Sequence, residues 1–326
     1  MNRFDLAIET VRSFSVKRRD LSTDGNLVLQ IAARLLHSEI SETDGFSFVR
    51  AGNVIPAVGS NVAVFVSMSD PAKPAFSNSD YMAVSQDYAA TLRTMCLRFW
   101  ADKGVLPSVT NGSRPLWFPQ AARAEVPWGA EFMWSDCDSS TEASKCGDAT
   151  MPDWYITALN TLENNRLVHF QASYSYAILF TLLHELSHIK LGHYTNQRKM
   201  QRYQKELDAD GSAIFAMFHS PILSNCMGEP ARIMVLQMAT GVIAAFVVFH
   251  LLLIKKFPAT AGLERHQGYP TVSERSSHML NLLTQRSRLA PNSWFGDLIA
   301  VMRVLLDVAS LHPAFAYVIG TGWIRH

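Results

Sequence analysis

Charge is scarce in this sequence. Aspartate, glutamate, lysine and arginine supply 17% of its 326 residues, against about 25% in ordinary globular domains, while 48% are hydrophobic. So apolar a chain is not disordered, because disorder needs low hydrophobicity and high net charge. The sum of the charges is small as well: 29 basic against 28 acidic residues leave a formal +1. With neither a basic excess nor a basic stripe, no nucleic-acid partner is expected. Cysteine is rare, with only Cys96, Cys137, Cys146 and Cys226, and none forms a C-x-x-C pair. That argues against a cysteine-type zinc site. Cys137 and Cys146 lie close enough to pair as a disulfide, or they stay as free thiols in a reducing compartment. The first residues, Met1 to Arg12, carry charges and no apolar core, so no secretory signal is expected and the chain reads as cytoplasmic. Internal repeats, low-complexity tracts and a glycine-rich phosphate loop are all lacking.

Three long runs carry no charge: 167–184, 233–254 and 308–324. The third is broken by Pro313, Gly320 and Gly322 and reads as a core helix and tail. The second, Ile233 to Ile254, is long enough to span a bilayer. It also holds Gln237, Thr240, Gly241 and His250, as a fully buried helix of a globular protein can. A buried helix and a membrane-associated one both remain open.

Periodicity divides the chain into three parts. Residues 1–105 read as a small α/β region. Asp24 can cap a helix with apolar positions Leu27, Val28, Ile31, Leu35 and Leu36, and 46–49 and 61–66 read as strands. Asp80 is expected to open a helix that runs to about Trp100. Residues 106–153 are crowded with prolines and with Trp117, Phe118, Trp128, Phe132 and Trp134. They form either a binding loop over a cleft or a loop anchored on the core by its aromatics. Residues 154–326 read as a helical core, with helices over 153–165, 172–192, 204–218, 231–255, 272–287 and 295–311. The fold class is therefore α+β, predominantly α-helical.

Chemistry concentrates in Leu182-Leu183-His184-Glu185-Leu186-Ser187-His188-Ile189-Lys190. This is H-E-x-x-H on a helical pattern, and chance yields it about 0.01 times in a chain of this composition. His184 and His188 lie one turn apart and about 40° round the helix, so both imidazoles can reach one metal ion. Glu185 stands where its carboxylate can take a proton from a water on that metal, as a general base does. A helix this apolar would not bury such polar residues without partners for them. His193 follows nine residues after His184 and would face away on a continuing helix. It reads as a helix-end residue, with Gly192 as the C-cap. A third ligand comes better from Lys205-Glu206-Leu207-Asp208-Ala209-Asp210-Gly211. Glu206 and Asp210 share one helix face. Glu206 would complete a His₂Glu set with an open fourth position, and Asp210 would hold a histidine ring by its second nitrogen. Asp208 points elsewhere and reads as a solvated charge. The basic stretch Arg198, Lys199, Arg202, Lys205 is either a solvated linker face or a contact for an acidic partner or phosphate.

H-E-x-x-H, then Gly192-His193, then Glu206-x-x-Ala209-Asp210 resembles the pattern of gluzincin metallopeptidases. These include the CAAX-prenyl and HtpX-type membrane proteases, the minigluzincins, the Lit-like phage-exclusion peptidases and the ImmA/IrrE-like regulators. The resemblance covers residues 176–216 and implies a zincin-like catalytic core with a Zn²⁺ cofactor and a protein or peptide substrate. The prenyl and heat-shock group carries a later His-Pro-Ser segment followed by an arginine. The matching stretch here is Tyr269-Pro270-Thr271-Val272-Ser273-Glu274-Arg275, with tyrosine in place of histidine. Tyr269 would donate to the oxyanion of a tetrahedral intermediate, and Thr271 to Glu274 would also serve as a capping box. In overall appearance the chain is nearest the Lit-like group, which implies a host-defence endopeptidase. A catalytically silent zinc sensor and a membrane-embedded HtpX-like protease are the alternatives, and Glu185 argues against the first because metal binding alone needs no base.

Overall fold

Apolar residues at a spacing of three and four from Leu27 to Leu36 build the first helix, α1 (Thr23–Leu36). Asp24 lies within its first turn rather than capping it. The computed structural model describes residues 23–36, 39–43, 46–50, 62–67, 75–101, 164–195, 201–218 and 229–256, together with 268, 270, 274–275, 278–279 and 281–282. The Pro/Trp-rich stretch 106–153, Cys137, Cys146, Tyr269 and the expected helix over 295–311 lie outside these residues.

Five strands follow α1: β1 (Glu39–Thr43), β2 (Phe46–Arg50), β3 (Ala63–Ser67), β4 (Ala75–Ser77) and β5 (Tyr81–Ser85). They form one mixed sheet in the order β1-β2-β3-β5-β4. β1 and β2 pair antiparallel, as do β2 and β3, while β3 runs parallel to β5 with Phe65 opposite Ala83. β4 closes the sheet antiparallel to β5, with Phe76 opposite Ala83. Asn78 makes the turn between them. Its side-chain oxygen accepts from the backbone N–H groups of Asp80 and Tyr81, both at 2.9 Å, as asparagine does where a chain must reverse.

The segment after Asp80 departs from the expected helix. Tyr81–Ser85 is a strand, and the helix, α2 (Gln86–Ala101), begins five residues later. All five strand residues are buried, with β3 on one side and β4 on the other. A strand buried on both faces loses the alternation that marks a half-exposed one, and its apolar run merges with that of the next helix.

Three long helices make the rest: α3 (Asn164–Lys190), α4 (Arg202–Phe218) and α5 (Glu229–Lys256). The expected 172–192 helix thus starts eight residues earlier, at Asn164. Backbone at 274–275, 278–279 and 281–282 is also helical. The described structure is α+β and mostly helical. α3 is its central rod, in contact with α1, α2, α4, α5 and the sheet edge. Trp100 of α2 donates its Nε1–H to Ser173 Oγ at 3.0 Å and stacks on His169. Tyr88 of α2 sits 3.2 Å from Thr181 Oγ1.

α5 explains much of the low charge. Its described side chains run from Met234 to Phe249, and Val235 to Val248 are buried on every face. Protein surrounds this stretch, the alternative to lipid for a helix apolar all round. Among the described residues no helix is long and apolar enough to cross a membrane. Gly241 faces the backbone of α3 with no room for a side chain. A Cβ there would lie 2.6 Å from Ser173 O, 2.7 Å from Ala177 N and 2.9 Å from Tyr176 Cβ.

Candidate metal centre

The last two turns of α3 bring His184 and His188 to one side, with Nε2 atoms 3.2 Å apart. α4 runs beside them and delivers Glu206 from its second turn. Oε2 of Glu206 lies 3.5 Å from His184 Nε2, and Oε1 lies 3.8 Å from His188 Nε2. The three side chains are buried, and their donor atoms fall within 4.8 Å of one another. A tetrahedral ion with bonds of about 2.0–2.1 Å sets its ligands roughly 3.4 Å apart, and the nearest separations here lie around that value, with each imidazole closest to a different oxygen of Glu206. Two imidazole nitrogens and one carboxylate oxygen also form a donor set that first-row divalent metals favour. This cluster could hold a metal ion.

Charge arranges the cluster from behind. Asp210, one turn beyond Glu206, places Oδ1 2.9 Å from His184 Nδ1. Arg275 grips Asp210 with two bonds, Nε to Oδ2 at 2.8 Å and Nη2 to Oδ1 at 2.6 Å, and its Nη1 is 3.9 Å from Glu206 Oε2. The guanidinium lies over Phe249, 4.9 Å from the ring centre, with Phe246 at 5.7 Å. Burial works against every ionised group here, so their charged state reflects pairing. For His184 burial opposes the charge, but Asp210 and Glu206 outweigh it and push the ring up to about 10. Glu206 resists burial through His184 and Arg275 and falls to about 2. Asp210 is held well below the usual carboxylate range, against burial, chiefly by Arg275 and His184. His188 goes the other way, to about 3, because burial and the neighbouring His184 charge both oppose its proton.

Glu185 points to the sheet edge. Ser77, the last residue of β4, donates to its Oε2 at 2.5 Å. Ser77 Oγ also lies 3.2 Å from the Glu185 backbone carbonyl and 2.7 Å from Tyr194 OH. A hydroxyl has one proton. With that proton directed to Glu185, Tyr194 donates its own to Ser77. Burial raises the Glu185 carboxyl, with His184 and Ser77 pulling it back.

The end of α3 is a Schellman motif. Gly192, at φ 67°, is the left-handed residue. Its N–H bonds Ile189 O at 3.1 Å, and the N–H of His193 bonds His188 O at 3.0 Å, the paired bonds of that motif. The expected glycine cap is thus present. The helix stops at Lys190, however, so His193 does not continue round it. The turn folds His193 back to place its Nδ1 2.8 Å from Nδ1 of His188. Lys205 donates its ammonium to the His193 carbonyl, so this member of the basic stretch is tied to the turn.

Of the residues expected from the motif, His184, Glu185, His188, Glu206 and Asp210 come together, and Tyr269 lies outside the described residues. Ser77, Tyr194, His193 and Arg275 join them without having been assigned a role. Ser77 gives no sequence signal, since it lies over a hundred residues from its partner. His193 carried one: the residue after a glycine cap meets the residue five before it.

A family model described as Peptidase U49 matches residues 137–290, just under half of the chain. The match spans α3, α4 and α5 and every residue of the cluster from His184 to Arg275, and it supports a peptidase. No curated protein and no solved structure matches the chain.

Proposed function

We propose that the protein is a zinc-dependent endopeptidase with a gluzincin-type, zincin-like core. The observation that carries this reading is the set of donor separations at His184, His188 and Glu206, beside a buried carboxylate that is not needed to hold metal. The peptidase family match is consistent with it. Zinc held there would polarise a carbonyl and ease deprotonation of a water.

The chain's own groups do the rest. Glu185 Oε2 is engaged by Ser77, so Oε1 is the atom that takes a proton from the attacking water and passes it to the leaving amine. Burial raises the basicity of this carboxylate, which favours its taking a proton. β4 is one of the two edge strands of the described sheet, the one beside the cluster, and an extended peptide can pair along such an edge through its backbone. It would then pass Ser77 and Glu185. Asp210 and Arg275 keep His184 and Glu206 in place.

The nearest appearance, to Lit-like phage-exclusion peptidases, suggests a host protein as substrate and a cytoplasmic site of action. The catalytically silent sensor is disfavoured by the Ser77 bond, which arranges a carboxylate that a silent site would not require. Metal analysis of the wild type beside His184→Ala and Glu185→Gln tests the reading. Wild type and Glu185→Gln should each carry about one zinc and His184→Ala essentially none. New protein termini should appear in a proteome treated with wild type, and drop about 10²–10⁴-fold in rate with Glu185→Gln. Full cleavage by Glu185→Gln overturns the mechanism.

A further inference from the structure

His193 stands outside the candidate ligand set, yet it is 3% exposed, as buried as the core residue Leu186 of α3. Its ring meets the His188 ring nearly edge to face, with centroids 5.0 Å apart. We propose that His193 is a positioning residue: it accepts the Nδ1 proton of His188 and so fixes the ring and tautomer that present His188 Nε2 to a divalent metal ion. The inference rests on the metal-site reading above and adds a residue to it.

Tautomer bookkeeping leads to this assignment. His188 Nε2 is the atom that faces His184 Nε2 and Glu206. A neutral imidazole that coordinates through Nε2 must carry its proton on Nδ1. That N–H needs an acceptor in a buried setting, and His193 Nδ1 stands 2.8 Å away. The two nitrogens cannot both donate, so His193 keeps its own proton on Nε2, a buried atom with no hydrogen-bond partner among the described residues. His193 therefore faces His188 with a lone pair and serves as an acceptor there.

Backbone geometry holds the ring in that position. The Schellman turn brings the side chains of His188 and His193 together through the bond from His193 N–H to His188 O. On the other side the His193 carbonyl accepts from Lys205, the residue before Glu206. One turn thus connects the second histidine to the strand of chain that delivers the carboxylate. Partners of this kind, which hold a ligating histidine by its far nitrogen, commonly govern metal affinity by about 10–100-fold.

The test measures the zinc dissociation constant of the full chain by competition with a chromophoric chelator. His193→Ala should weaken zinc about 10–100-fold. His193→Asn, whose side-chain carbonyl stands near the place of Nδ1, keeps an acceptor and should stay within about threefold of wild type. Imidazole ¹⁵N NMR of the zinc-loaded chain should show a protected His188 Nδ1–H in wild type and His193→Asn, and its loss in His193→Ala. His193→Leu fills the space without an acceptor and replaces the alanine variant if that one does not fold. Wild-type affinity in the alanine or leucine variant overturns the proposal, as does equal weakening in the asparagine variant. Failure of the wild type itself to take up zinc is a different result, and it overturns the metal-site reading.

Discussion

The two halves of α3 are held by different physics. Its first half meets α5 mainly through small and apolar residues, with Gln237 Nε2 2.7 Å from His169 Nδ1 as a polar tie, and with Gly241 leaving room where a Cβ would strike the α3 backbone. Its last two turns meet α4, β4 and Arg275 through ionised and hydrogen-bonded groups, nearly all buried. The first half is governed by shape, and an added atom is its main danger. The second is governed by charge balance, and a missing partner is its main danger. One helix can thus supply both the anchor and the chemistry, provided the two are kept apart along its length.

Charge balance gives the largest expected effect. Arg275→Met removes one of the two cations that hold Asp210 and Glu206, leaving only His184, and should cost about 3–5 kcal/mol of stability, read from urea unfolding of the metal-free chain. A loss below about 1 kcal/mol, the level of an exposed pair, would break the contrast between the halves. On the shape side, Gly241→Ala sets its Cβ 2.6 Å from a backbone oxygen, which no rotamer change can relieve. Overpacking of this kind costs about 1–3 kcal/mol, and it should lower the melting temperature while leaving zinc stoichiometry intact in the folded fraction.

The titration of the site gives a third expectation, comparable in size to a single hydrogen bond. In the metal-free site His184 holds its proton up to about 10, whereas His188 at about 3 and Glu206 at about 2 are already unprotonated at neutral pH. Metal must displace the His184 proton and no other. Apparent zinc affinity should therefore rise about tenfold for each pH unit between 6 and 8, measured with a chelator of known pH dependence. A hundredfold slope per unit would mean that two protons leave, and would overturn the one-proton exchange. The smallest effect belongs to Trp100→Phe. It removes the donor to buried Ser173 Oγ while keeping an aromatic ring beside His169, and it should cost about 1 kcal/mol in chemical denaturation.

Sequence reading went furthest where chemistry is local. His184, Glu185 and His188 are within one turn of each other, and Glu206 and Asp210 within another, so helical geometry alone brings each group to one face. Positions of α4 and α5 were readable to within a few residues for the same reason. The sheet was less legible. β4 and β5 depend on each other and on β3 for their hydrogen bonds, and Tyr81–Ser85 has no alternation because neither face meets water. The tie from Ser77 to Glu185 could not be read at all, because it exists only once β4 lies against α3. Gly241 shows the opposite failure. In the sequence it looked like an interruption in an apolar run, and in the fold it is a point where α5 packs against the α3 backbone with no room for a Cβ.

That glycine also acts as a surveyor's mark. It faces α3 where a Cβ would strike Ser173, Tyr176 and Ala177, and Ala177 is seven residues before His184. A helix advances about 1.5 Å per residue, so the imidazole stands about 10 Å along a stiff rod from a fixed stop. Where the rod ends is thereby decided on another helix, by an atom that is not there. A side chain at position 241 would press on the rod that carries the histidines without altering any residue that touches them.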